Sequence, residues 1–175
     1  DVIITLTHFG YIKRVPEDIY KAQRRGGKGI TGLTTREEDF VEDLFITSTH
    51  DTILFFTNKG RVYSLKAYEI PEGRRQARGT AIINLLNLTG DERVSAVIPI
   101  EKYDPESNLV LITKRGIIKK TKLERFKNIR KNGIIAISLR EEDELIGVKK
   151  TNGKREIIVV TSNGMSIRFS EKDVR

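Results

Sequence analysis

The stretch Gln23-Arg24-Arg25-Gly26-Gly27-Lys28-Gly29 sets three positive charges beside three glycines within seven residues. Glycine lets the main chain approach a phosphate closely and present its N–H groups in a concave nest. Arginine adds bidentate contacts to phosphate oxygens, and lysine adds a compact charge. The chemistry on offer is anion recognition, not bond making. The plainer reading is a basic surface turn. Two weaker copies follow, Arg74-Arg75-Gln76-Ala77-Arg78-Gly79 and Asn128-Ile129-Arg130-Lys131-Asn132-Gly133, which keep charge but lose the double glycine. That asymmetry marks the first copy as specialised.

The copies recur because the frame around them recurs. Ile3 to Arg14, Ile53 to Ser64, Leu109 to Lys120 and Ile157 to Arg168 share one pattern. Each is an apolar β-rich run, a Thr, two turn residues, a Gly and a second run. The glycines Gly10, Gly60, Gly116 and Gly164 are 50, 56 and 48 residues apart. Each unit predicts a β-hairpin, with β-branched and aromatic arms and the Gly where a short turn needs positive φ. The nearly all-apolar first arm predicts a strand covered on both faces. Gly29, Gly79 and Gly133 follow by 19, 19 and 17 residues. Apolar stretches come next, from Ile30 to Leu33, Ala81 to Leu88 and Ile134 to Leu139. Acidic turns follow at Glu37 to Asp39, Gly90 to Glu92 and Glu141 to Asp143. Closing strands are predicted over 43–47, 94–100 and 145–149. Short helical turns are predicted near 16–20, 65–69 and 122–126. This gives an all-β chain of propeller-like blades, about four antiparallel strands per ~50 residues. The repeats fall at about 2–50, 51–106, 107–155 and, in part, 156–175. Three repeats and a hairpin close no ring, so a fragment is expected, and the start at Asp1 without Met points the same way. The alternative is an open arc with protected edges.

The 175 residues carry 32 Lys+Arg against 24 Asp+Glu, a formal charge of +8. At 38% hydrophobic and 32% charged residues the chain is neither a disordered tail nor a membrane protein. No apolar run nears the roughly 20 residues of a bilayer span, and no secretory leader is expected. Cysteine is absent, which excludes disulfides and thiolate chemistry. The charge is sorted by repeat. Residues 13–28 hold six bases against Glu17 and Asp18, and 59–78 hold six against Glu69 and Glu72. Residues 114–131 hold nine against Glu124, while Glu37 to Asp43 hold five acids and no base. Basic loops stacked blade by blade would form a track for a phosphate backbone. Lys13, Arg14, Lys21, Lys59, Arg61, Arg74, Arg75, Arg78, Lys114, Arg115, Lys119 and Lys120 are the candidate rim.

No constellation reads as catalytic or metal-binding. Tyr11, Tyr20, Tyr63, Tyr68 and Tyr103 read as packing residues, and His8 and His50 stand apart. The acidic turns lack metal-loop spacing and read as solvated. A Walker A loop is absent.

The heptad resembles the gyrase A box, QRRGG[KR]G. Tyr11-Ile-Lys-Arg before it, Glu37-Glu-Asp-Phe after it, Gly60-Arg-Val-Tyr-Ser, Ala77-Arg-Gly, Asn84-Leu-Leu, Asp91-Glu-Arg and Asp143-Glu-Leu-Ile-Gly-Val resemble the C-terminal domain of DNA gyrase A. The likeness covers essentially the whole chain. It implies a β-pinwheel, an incomplete six-bladed ring with strands exchanged between neighbouring blades. It implies a DNA-wrapping module of an ATP-dependent type II topoisomerase. Duplex DNA would bend around the rim with positive handedness, locked by Gln23, Arg24, Arg25, Gly26, Gly27, Lys28 and Gly29, so that strand passage introduces negative supercoils. The implied partners are double-stranded DNA, without sequence preference, and the rest of gyrase A together with gyrase B in an A2B2 complex. ATP and Mg would act elsewhere in that complex, with no cofactor, metal or catalytic residue in this domain. The implied setting is a bacterial cytoplasm, at the nucleoid and without membrane contact. Bending 20–30 bp by 40–90° costs about 1–6 kcal/mol. Neutralising about eight phosphates would give a salt slope of about −7. Phosphate contacts carry no base information. The alternatives are the related domain of topoisomerase IV, which usually lacks an intact heptad, and a propeller-like protein-interaction scaffold.

Overall fold

The computed structural model describes residues 1–21 and 39–175. The heptad Gln23 to Gly29 and the stretch Ile30 to Leu33 lie outside the described residues. Four hairpins form where the Thr-x-x-Gly pattern places them. They are β1 (Val2–Thr7) with β2 (Tyr11–Pro16), and β4 (Thr52–Thr57) with β5 (Arg61–Lys66). The others are β8 (Asn108–Thr113) with β9 (Ile118–Lys122), and β12 (Glu156–Val160) with β13 (Ser166–Ser170). The amide of each turn glycine donates to the Thr carbonyl three residues back, at 3.0 Å in all four. Gly10, Gly60, Gly116 and Gly164 take φ of 88°, 80°, 87° and 79°, the left-handed region that a Cβ disfavours.

The closing strands are β3 (Val41–Thr47), β7 (Val94–Ile100) and β11 (Leu145–Thr151), each antiparallel to the first arm of its own unit. The apolar stretches after Gly79 and Gly133 differ from the reading as a full strand. Only β6 (Thr80–Ala81) and β10 (Ile134–Ile135) are extended, and Ile82–Asn84 turns at once into a 3-10 helix. The turn drives Ile82 and Leu86 into the core. The two short strands pair not with their own unit but with the one before it: β6 with β2, and β10 with β5. The sheet orders are β3-β1-β2-β6, β10-β5-β4-β7, β11-β8-β9 and β12-β13, an open row of blades. Short helical turns form at Glu17–Lys21 (α1), Ala67–Glu69 and Leu123–Phe126, as the sequence predicts.

The cores lie between blades. Along β4, Ile53 and Phe55 join one cluster with Ile4, Leu6, Ile12 and Tyr63. Leu54 and Phe56 join the other, with Leu109, Leu111 and Phe126. This is why the arm is apolar at every position from Ile53 to Phe56. Phe56 meets Phe126 edge to face at 5.7 Å. β12 departs from the expectation: Ile158 and Val160 are exposed, because among the described residues nothing packs on that face.

Candidate nucleic-acid interface

The exchanged strands decide where the basic loops go. β6 pairs with Tyr11 and Ile12, so the connection that precedes it, residues 70–79, must run along the β2 edge of the first blade. Arg14 brackets the loop: its amide donates to the Pro71 carbonyl at 3.1 Å, and its carbonyl accepts from Gly73 N at 3.0 Å. The Arg14 Nε donates to the Ile70 carbonyl at 2.9 Å. The Arg78 guanidinium lies over the Tyr11 ring, 3.6 Å from the centroid. A cation held flat on an aromatic face keeps its N–H edge for another acceptor. Arg74 is exposed, and Arg75 and Arg78 are half-buried. The loop thus brings three arginines to one strand edge.

Lys13 is a correction to the candidate rim. Its side chain is 1% exposed. The Nζ donates to the carbonyls of Arg74 at 3.0 Å, Arg75 at 2.5 Å and Ala77 at 3.2 Å. Burial and the nearby Arg75 charge both hold its pKa below the ordinary lysine value. The alternation of β2 turns Lys13 under the loop that crosses it, so it faces protein and not solvent.

The arrangement repeats at lower intensity. Residues 128–133 lead into β10 and cross the β5 edge, where the Arg61 guanidinium donates to the carbonyls of Asn132 at 2.6 Å and Gly133 at 3.3 Å. Lys119 is exposed, and its Nζ reaches the Ala136 carbonyl at 3.3 Å. The half-buried Lys120 donates to the Glu171 carbonyl at 2.8 Å. Lys59 and Arg115 stand apart from this edge, at the hairpin turns. There Lys59 pairs with Asp91 at 3.3 Å and Arg115 with Glu142 at 3.5 Å. Such exposed pairs are weak and exchangeable. Lys114 is exposed at the same turn. Lys21 belongs to α1.

The acidic turns are the second correction. In place of fully solvated turns, one carboxylate in each is buried against the hairpin turn of its own unit. Asp39 accepts from Phe9 N at 3.0 Å and Phe40 N at 2.9 Å. Glu92 accepts from the Thr57 hydroxyl at 2.6 Å and the Tyr63 hydroxyl at 2.9 Å. Asp143 accepts from Arg115 N at 3.0 Å and Glu144 N at 2.9 Å. For Asp39 and Asp143, desolvation pushes the carboxyl up, but hydrogen bonds from Thr7 or Thr113 and from two backbone amides outweigh it. Both sit below the ordinary Asp value. The signal missed was the pairing of each acid with the Thr of its own hairpin. His8 is not isolated either: it pairs with Glu42 at 2.6 Å and stacks on Phe40 at 4.8 Å between centroids. Among the described residues no group of three His, Asp or Glu could hold a metal ion. No helix there is long and apolar enough to cross a membrane.

The geometry has parallels in known proteins. The family described as DNA gyrase C-terminal domain, beta-propeller matches residues 1–48, 51–101, 107–152 and 155–175. A DNA gyrase A protein from Clostridium acetobutylicum is 59% identical over 175 residues, covering 100% of this chain and 21% of that protein. This chain therefore spans about a fifth of the length of such relatives. A solved C-terminal domain of DNA topoisomerase IV aligns with a TM-score of 0.85 at 30% identity, over 99% of this chain and 53% of that one. A solved DNA gyrase A C-terminal domain aligns at 0.72 and 26% identity, over 99% and 56%.

Proposed function

This chain belongs to the DNA gyrase C-terminal domain, beta-propeller family, and from that premise we propose that it is the DNA-wrapping module of a gyrase. Duplex DNA lies along the basic strand edges and bends around them, and Gln23 to Gly29 lock the wrap. The carrying observation is the basic loop Arg74 to Gly79, with its three arginines, laid along the edge of the preceding blade. That loop is the repeat equivalent of the heptad. Contacts to phosphate alone make the binding independent of base sequence. The bend presents a distant segment of the same duplex to the strand-passage gate with positive handedness. ATP hydrolysis and Mg-dependent cleavage then belong to other parts of an A2B2 complex in the bacterial cytoplasm, at the nucleoid. This chain contributes no catalytic residue and no cofactor site in that reading.

The intact heptad favours gyrase over the topoisomerase IV relative, whose fold the chain shares. Replacing Arg24, Arg25 and Lys28 with Ala in the complete enzyme tests the assignment. Negative supercoiling is expected to be lost while relaxation and decatenation persist. Unchanged supercoiling would contradict the role of the heptad.

A further inference from the structure

Resting on the reading of the rim as a DNA contact, we infer that Lys13 is a positioning residue for that contact. Its buried ammonium fixes the loop that presents Arg74, Arg75 and Arg78 to the phosphate backbone. An ammonium has three N–H donors and no acceptor. Three carbonyls, those of Arg74, Arg75 and Ala77, converge on this one. Donors and acceptors match in number, so the buried charge is satisfied entirely by the main chain of the loop. The loop has to curl around a point to bring three of its carbonyls together. Curling them inward sends the Arg74 side chain out to solvent.

The stem of Lys13 does further work. A Cβ on Gly73 would sit 3.1 Å from the Lys13 Cβ, and one on Gly79 would sit 3.3 Å from it. Glycine at both places lets the loop lie directly on the lysine. Tyr11, Lys13 and Arg14 thus grip residues 70–79 by a ring, a cage and a backbone ladder in turn. Without the cage, the Arg75 and Ala77 carbonyls would lose the ammonium as donor and the Arg74 carbonyl would keep the Ala77 amide at 3.0 Å, at a cost typical of buried acceptors that lose a partner. The loop would then keep only the Tyr11 and Arg14 contacts, and the ordering left to DNA binding subtracts from affinity. The counterpart of Lys13 in the second unit is Tyr63, and in the third Lys119, whose ammonium is given one carbonyl at 3.3 Å. Among the described residues the three-carbonyl cage therefore singles out the second unit's loop, which crosses the edge of the first blade.

The test is a double-mutant cycle in the full chain, read by duplex-DNA affinity across a salt series. Lys13→Met keeps the length of the stem and removes the donors. We expect it to weaken binding about tenfold and to make the slope of log affinity against log salt shallower by roughly two, the loss of two to three phosphate contacts. In a background of Arg74→Ala, Arg75→Ala and Arg78→Ala, the same change should cost less than twofold. Amide exchange at Gly73 and Ala77 should quicken at least tenfold while β4 stays protected. Equal costs in the two backgrounds, or unaltered affinity and slope with a folded K13M, would overturn the inference alone. Absence of DNA binding by the unmodified chain would overturn it together with the reading it rests on. If K13M does not fold, Lys13→Gln keeps the stem and an amide donor without the charge, and the same outcomes decide.

Discussion

A threonine and an acid hold each of the first three hairpin turns, and in the first and third the acid makes the turn sensitive to pH. Thr7 and Thr113 each accept from the amide four residues on, at 3.1 Å in both units. Their hydroxyls are among the causes that hold Asp39 and Asp143 below the ordinary carboxyl value. A carboxyl held below its ordinary value stabilises the fold fully above that value, near pH 3.9, and the stabilisation fades as pH falls through the folded value. Denaturant unfolding at pH 7 and pH 3 should therefore show a smaller pH effect in a D39N/D143N double variant than in the unmodified protein. An identical pH effect would show that these acids do not couple to folding. Neither acid was legible in the sequence. Each sits in a run of acids where exposure is the ordinary expectation, and its partner threonine lies about 30 residues upstream in the same unit. Lys13 was misread for a related reason. Its period-2 position on β2 says only which face it takes, and the carbonyls covering it come from another repeat, over 60 residues on.

At the scale of elements, the joint between blades is a splice: a two-residue strand from one unit completes the sheet of the unit before it. Gly79 makes the first splice feasible. Its φ is +98°, and an added Cβ would strike the Ile12 carbonyl. Gly116 has a similar φ of +87°, with nothing within 4 Å of an added Cβ. Gly116→Ala then pays mainly for the left-handed backbone, about 1–2 kcal/mol. Gly79→Ala adds a clash with main chain that has nowhere to move. Calorimetry should give the larger fall in Tm for Gly79→Ala, by several degrees. Equal shifts would mean that the splice yields without cost. Hairpins were legible because their information is local, in the Thr-x-x-Gly turns and the alternating arms. The closing strand over 94–100 was read to the residue for the same reason. The splice was not visible in the periodicity. An apolar run such as Ala81 to Leu88 fits a strand or a buried turn equally, and only packing decides. The exchange of strands followed from the family resemblance, not from the run itself.

For the whole molecule, repetition turns a modest net charge into a directed one. The second and third units send their basic loops to the outer pairing edge of the preceding blade and their acids to their own hairpin turns. There Asp91 and Glu142 meet Lys59 and Arg115. The arginines of residues 74–78 and 128–133 thereby lie along strand edges, apart from the paired charges at the turns. Sorting by repeat was readable from the sequence, whereas the pairing of Lys59 and Arg115 was not, since it depends on which end of a blade each reaches. The most direct test of a DNA-wrapping role is fluorescence transfer between dyes at the two ends of a short duplex, titrated with the protein across a salt series. The account predicts that the ends approach on binding. It also predicts that affinity falls with salt at a log–log slope of about −7, the release expected for about eight phosphates. Binding without end-to-end approach, or a slope near zero, would contradict it.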